Sequence, residues 1–155
     1  MTLTSHFSDP AQVIQLAIGP VFLLTAVAAT LNVLATRIGR IIDRARTLED
    51  RLEKASPEQA EGLHGTLRVL SKRATLMNRA IGLSVTAGLL TALVVAALFV
   101  SNSLRIDLAV PITIAFVVGL LSLATGLVYF LREVILATNS LTFGGMRPRP
   151  PVAKQ

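Results

Sequence analysis

The chain has 155 residues, 52% of them apolar and 15% charged, with a net charge of +6 and no cysteine. The charges avoid three stretches, 10–36, 80–104 and 108–131, which are 27, 25 and 24 residues long. About 20 apolar residues cross the ~30 Å of bilayer hydrocarbon. Composition therefore excludes a soluble globular fold, and the missing cysteine excludes disulfides, thiolate nucleophiles and cysteine-based metal sites.

In chain order, residues 1–9 read as an external N-terminal tail. Asp9-Pro10 supplies a cap and a first helical turn, and the first transmembrane helix covers 10–36. Gly19-Pro20 predicts a kink near the outer leaflet, because Pro20 has no N–H to give to residue 16. The apolar pattern does not stop at the membrane surface. Leu24, Val27, Leu31, Leu34, Ile38, Ile41, Ala45, Leu48 and Leu52 recur at steps of three and four, an unbroken a/d seam. A helix of about 45 residues, roughly 67 Å long, is expected to end at Ala55-Ser56-Pro57.

Ser56-Pro57-Glu58-Gln59 then reads as an N-cap, an N1 proline and a capping-box glutamine, so a second helix starts at once. Its seam is Ala60, Leu63, Leu67, Leu70, Ala74, Met77 and Ile81. Helices joined by so short a turn run antiparallel, and facing positions then add to a constant. Leu48/Leu63, Ile41/Leu70, Ile38/Ala74 and Leu34/Met77 all sum to 111 or 112. Extending the register pairs Val27 with Ser84 and Leu24 with Gly88. Residues 37–79 thus form a cytoplasmic antiparallel helical hairpin, a coiled coil whose tip is weakened by Gly62 and Gly65.

The second transmembrane helix spans 80–101, where eleven Leu, Ile, Val or Phe meet no charge. An external loop, 102–108, precedes the third transmembrane helix and its cytoplasmic end at 109–138, with Pro111 in its first turn. Ala115, Gly119, Ser122 and Gly126 line one face as a helix-contact stripe, within a subunit or between subunits. Thr142-Phe143-Gly144-Gly145 is expected to end the order. Residues 139–155 read as a basic, Pro-rich cytoplasmic tail, either attracted to anionic lipid or serving as a peptide ligand.

Orientation follows from the cations, which are retained on the cytoplasmic side. Ten of the fifteen Lys and Arg lie in 37–79, four follow the third span, and the loop 102–108 has only Arg105, balanced by Asp107. The N-terminus is expected outside and the C-terminus in the cytoplasm.

Opposite the seam, the first helix carries Thr25, Asn32, Thr36, Gly39 and Asp43 within one narrow arc. An unpaired amide such as that of Asn32 is costly in hydrocarbon. These residues read as glue between helices of one subunit, as the lining of a path on an oligomer axis, or as packing between subunits. A second group, Arg37, Arg40, Arg44, Arg79 and Arg132 with Asp43 and Glu133, falls near one depth at the inner boundary. It reads as interfacial anchoring, as a pair of Arg40 or Arg37 with Glu133 locking the third helix, or as a basic vestibule for anions or lipid headgroups.

Enzymatic motifs are missing. His6 lies in the tail and His64 between glycines at the hairpin tip, neither with metal-ligand spacing or a nucleophile to serve. No catalytic residue, cofactor or metal site is expected, and the net charge is explained by topology rather than by nucleic acid. The uncharged stretches themselves hold no acid of the kind a proton-coupled carrier needs.

Ala17-Ile18-Gly19-Pro20, Asn32, the run from Arg37 to Arg46, and Phe130-Leu131-Arg132-Glu133 resemble a bacterial family of small membrane proteins catalogued as domain of unknown function 2721. The resemblance covers roughly 11–140, with the Arg/Asp run its most specific part; Gly19 and Thr36 depart from the family's usual Ser and Asn. It implies three spans and a cytoplasmic helical hairpin, and brings no established activity.

The expected molecule is therefore an all-α membrane protein and no enzyme. Its partners are the bilayer and further copies of itself in a pore or channel-like assembly. The alternative is a membrane-anchored scaffold whose hairpin binds a cytoplasmic protein or anionic lipid.

Overall fold

The computed structural model describes residues 10–104 and 106–142. It is all-helical: α1 is Pro10–Leu52, α2 is Pro57–Leu104 and α3 is Ala109–Thr142. Each is long and apolar enough to cross a membrane. The expected external tail 1–9, with His6 and Asp9, the loop residue Arg105 and the tail beyond Thr142 lie outside the described residues.

The breaks fall where the turn chemistry puts them. After Leu52 the α1 helix tightens, with the Lys54 N–H donating to the Arg51 carbonyl and the Ala55 N–H to that of Leu52, both at 3.2 Å. Such i→i+3 bonds satisfy terminal carbonyls that the helix leaves unpaired. The Ser56 carbonyl then accepts the N–H groups of Gln59 and Ala60 at 3.0 Å, starting α2 on Pro57. Between α2 and α3 the Ser101 hydroxyl donates to the Ile106 carbonyl at 2.6 Å, and Asp107 Oδ1 accepts the Ala109 N–H at 3.0 Å. Helix α1 continues through Pro20, and α2 through the expected weak point at Gly62 and Gly65. Helix α3 runs past the expected limit at 138 to Thr142.

Helix α2 is the middle element, packed against α1 on one side and α3 on the other. Leu34 and Ile41 of α1 with Leu70, Met77 and Ala80 of α2 form one buried cluster, to which Ile38, Ala45, Leu48, Ala74 and Ile81 add. The pairs Leu34/Met77 and Ile41/Leu70 expected from the summed register are therefore both in the core. Farther along, Val27 Cγ1 lies 3.2 Å from where a Gly88 Cβ would stand, so Val27 reaches one turn beyond the position expected opposite Ser84.

On α3 the stripe packs within the chain. A Cβ on Gly126 would stand 3.2 Å from the Ala80 carbonyl oxygen and 3.3 Å from Leu83 Cβ. One on Gly119 would meet Leu90 Cβ at 3.5 Å. The Ser122 hydroxyl donates to the Leu83 carbonyl at 2.9 Å, a bond from helix to helix. Small side chains let the two backbones approach, which is how helices gain contact where lipid removes the hydrophobic drive.

Along the uncharged stretches the outward surface of every helix is mainly apolar, with Phe22, Leu89, Val110 and Leu121 61–72% exposed. Patches of that extent are a liability in water and ordinary in lipid. Threonine fits there by hiding its donor. All seven threonines of the uncharged stretches (25, 30, 36, 86, 91, 113 and 125) donate to the carbonyl four residues earlier, at 2.7–3.4 Å.

Candidate functional site

The uncharged stretch of α1 ends at Arg37 and that of α3 at Arg132-Glu133, while on α2 Arg73 lies six residues before Arg79. These ends converge on Glu133, which is fully buried. Arg73 donates through Nε and Nη2 to Glu133 Oε1, at 2.9 and 2.7 Å. Arg37 donates through Nη1 to Oε2 at 3.1 Å. One carboxylate thus joins all three helices by charge-assisted bonds, which are shorter and stronger than neutral ones.

The surroundings fix both guanidinium groups. Arg37 lies over the Phe130 ring, 5.2 Å from its centroid, with its side chain 41% exposed. That ring presents its negative face to the cation. Arg73 is more enclosed, at 20%. The triad carries one net positive charge, and its buried member is fully paired. A buried acid without partners would be very costly.

Of the two arginines expected to reach Glu133, it is Arg37 that pairs. At 100° per residue Arg37 flanks the α1 seam on the α3 side, whereas Arg40 is turned about 60° farther out. Arg40, Asp43, Arg44 and Arg132 are exposed and enter no ion pair among the described residues. At about 1.5 Å per residue, Arg44 stands roughly 10 Å from Arg37 along α1, and Arg79 roughly 9 Å from Arg73 along α2. Arg73 belongs to the site although sequence reasoning did not single it out. The summed register places position 73 opposite Ile38, beside Arg37, and that was the available signal.

The polar arc of α1 is not turned inward. Thr25, Asn32 and Thr36 are all exposed. The hydroxyls of Thr25 and Thr36 go to the carbonyls of Val21 and Asn32 on their own helix. Among the described residues neither hydroxyl bonds to another helix. The Asn32 amide makes no hydrogen bond among the described residues. Inside the helix packing, the Ser84 hydroxyl is buried without a partner among the described residues, and Thr91 donates to Ala87 at 2.7 Å. No group of three or more His, Asp or Glu with metal-binding spacing occurs among the described residues.

A family model described as "Protein of unknown function (DUF2721)" matches residues 17–143. No curated protein and no solved structure matches the chain.

Proposed function

The chain belongs to the family of proteins of unknown function designated DUF2721, which hands down no activity, and we propose from its geometry that it is the protomer of a homo-oligomeric, non-enzymatic membrane assembly of pore or channel type. The retention of cations on the inner side supports an N-terminus outside and a C-terminus in the cytoplasm of a bacterial inner membrane. On that reading the ends of α1 and α2 around 37–79 are cytoplasmic arms, paired antiparallel. The Arg37–Arg73–Glu133 triad sits where the arms leave the lipid.

The observation that carries the proposal is Asn32. Each threonine in the uncharged stretches hides its donor on its own helix; Asn32, exposed between Leu31 and Val33, does not. An amide left open in hydrocarbon finds a partner across a helix–helix contact or in water lining a path. Thr25, Asn32, Thr36 and Asp43 share that face, so copies meeting along it enclose a polar strip.

The mass of the complex in nanodiscs tests the assembly, with a multiple of the protomer expected. Asn32→Leu should weaken association by about 0.6–2 kcal/mol and, in planar bilayers, alter conductance or selectivity. A monomer at every protein-to-lipid ratio defeats the proposal.

The second reading, a scaffold, draws on the arms. Ile42, 42% exposed there, lines an open cavity of about 240 Å³ together with Ile41, Ala45, Leu67, Leu70 and Ala74. An oligomer that carries no current at any voltage or pH favours this reading.

A further inference from the structure

Glu133 neutralises one side of the three-helix packing and leaves the other side wholly cationic. Arg37 and Phe130 meet on the α1 side of α3. Tyr129 lies on its opposite flank, and there the Arg79 guanidinium stands 5.8 Å from the ring centroid. That contact fixes which way Arg79 turns. At 100° per residue Lys72 points within about 20° of Arg79 on α2, and Arg132 follows Tyr129 round the outer flank of α3. All three cations are exposed and make no ion pair among the described residues.

The spacing suits an anionic headgroup. Gly126 lies against Ala80 and Ser84, and Glu133 against Arg73, which sets the α2–α3 register. Arg132 then falls level with position 75, about 6 Å from Arg79 along the axis, and Lys72 about 10 Å beyond Arg79. Flexible arginines at that separation can close on one phosphate from two sides. No acid shares the face. On α2 the nearest is Glu61, eleven residues before Lys72, and Glu133 is buried and already paired. Deeper in the lipid the same groove is apolar, with Leu83 and Leu90 half-buried and Leu121 61% exposed, a path for acyl chains.

We propose that the outer groove between α2 and α3 binds an anionic phospholipid, its phosphate held by Arg79 and Arg132 with Lys72 beyond. Tyr129 holds the Arg79 guanidinium beside the outer flank of α3, at the headgroup level of the groove. The proposal rests on the membrane placement above and not on the assembly, so it can stand or fall while the oligomer mass stands.

The test is native mass spectrometry of the full chain released from nanodiscs of phosphatidylcholine and phosphatidylglycerol in equal parts. Wild type should retain phosphatidylglycerol preferentially. The double variant Arg79→Gln/Arg132→Gln should lose that retention by about tenfold or more, since two basic residues near an anionic surface together matter at that scale. Arg40→Gln/Arg44→Gln, the same charge change on α1, should keep it. Inorganic phosphate added in excess should displace little of the lipid, because it lacks the chains that fill the groove. Equal retention of the two lipids by wild type overturns the proposal without recourse to any variant. So does equal loss in both double variants, which would mark a diffuse effect of surface charge.

Discussion

Helix α2 packs against its two neighbours by different means. Toward α1 it offers Leu70 and Met77 to Leu34 and Ile41, large side chains meshed in a seam that continues toward the turn at 53–56. Toward α3 it offers backbone. Gly119 and Gly126 leave room for the Ala87 and Ala80 carbonyls, and Ser122 bonds directly to Leu83. In water, burial of apolar area drives association, and large side chains bury most. In lipid that drive is gone, and close approach with interhelical hydrogen bonds replaces it. Each interface follows the solvent it would meet on the proposed placement: the seam extends along the arms, and the glycine contacts lie wholly within the uncharged stretches. Glu133 sits where the two regimes meet and ties both interfaces together.

The largest effect should come from cutting that tie. Glu133→Ala leaves Arg37 and Arg73 facing each other across a buried gap, and loss of one member of a buried ion set costs about 3–5 kcal/mol. Unfolding in mild detergent by added dodecyl sulfate, followed by circular dichroism, measures it. Arg40→Gln, which removes an exposed charge, should stay within about 0.5 kcal/mol of wild type. Met77→Ala attacks only the seam, and emptying a fully buried methionine should cost about 3 kcal/mol. Gly126→Val attacks only the other side. Its added atoms have to displace the Ala80 carbonyl and the Leu83 side chain, at a cost of about 1–3 kcal/mol. Gly82→Ala is the control for that experiment. A Cβ there meets nothing within 4 Å, so the variant should be neutral or gain up to about 1 kcal/mol of helix propensity. If Gly126→Val proved as harmless as Gly82→Ala, the two interfaces would not differ as described.

Much of this contrast is legible in the sequence, because both patterns are periodic. The summed register brought Leu34 to Met77 and Ile41 to Leu70, and the small-residue stripe marked the contact face of α3, though not whether its partner was α2 or another subunit. Val27 shows where a constant sum loses accuracy, since a residue packs into a gap between two turns and not onto one facing position. The ionic site was half visible. Glu133 is conspicuous as the only acid in α3, and Arg37 or Arg40 was its expected partner. Arg73 was hidden because Lys72-Arg73 on a polar helix face looks like ordinary solvated charge. Only the packing angle of α3, which no pairwise pattern between α1 and α2 contains, turns one of those two cations inward and leaves the other out.

The smallest effect probes the tight side at a single atom. The Ser84 hydroxyl is fully buried where α2 packs on α3, 3.3 Å from the position a Gly126 Cβ would take, and has no partner among the described residues. A buried hydroxyl left unsatisfied contributes nothing favourable to set against its desolvation, so removing it is close to neutral or stabilising. Ser84→Ala should therefore change unfolding by no more than about 1 kcal/mol, in the stabilising direction. Thr91→Ala makes the useful contrast. That hydroxyl is satisfied by the Ala87 carbonyl, and the substitution also removes a buried methyl, worth about 1 kcal/mol. Destabilisation of Ser84→Ala beyond that of Thr91→Ala would mean that the hydroxyl has found a partner in the membrane. The tight interface would then be held by a second polar link beside Ser122, and not by close packing alone.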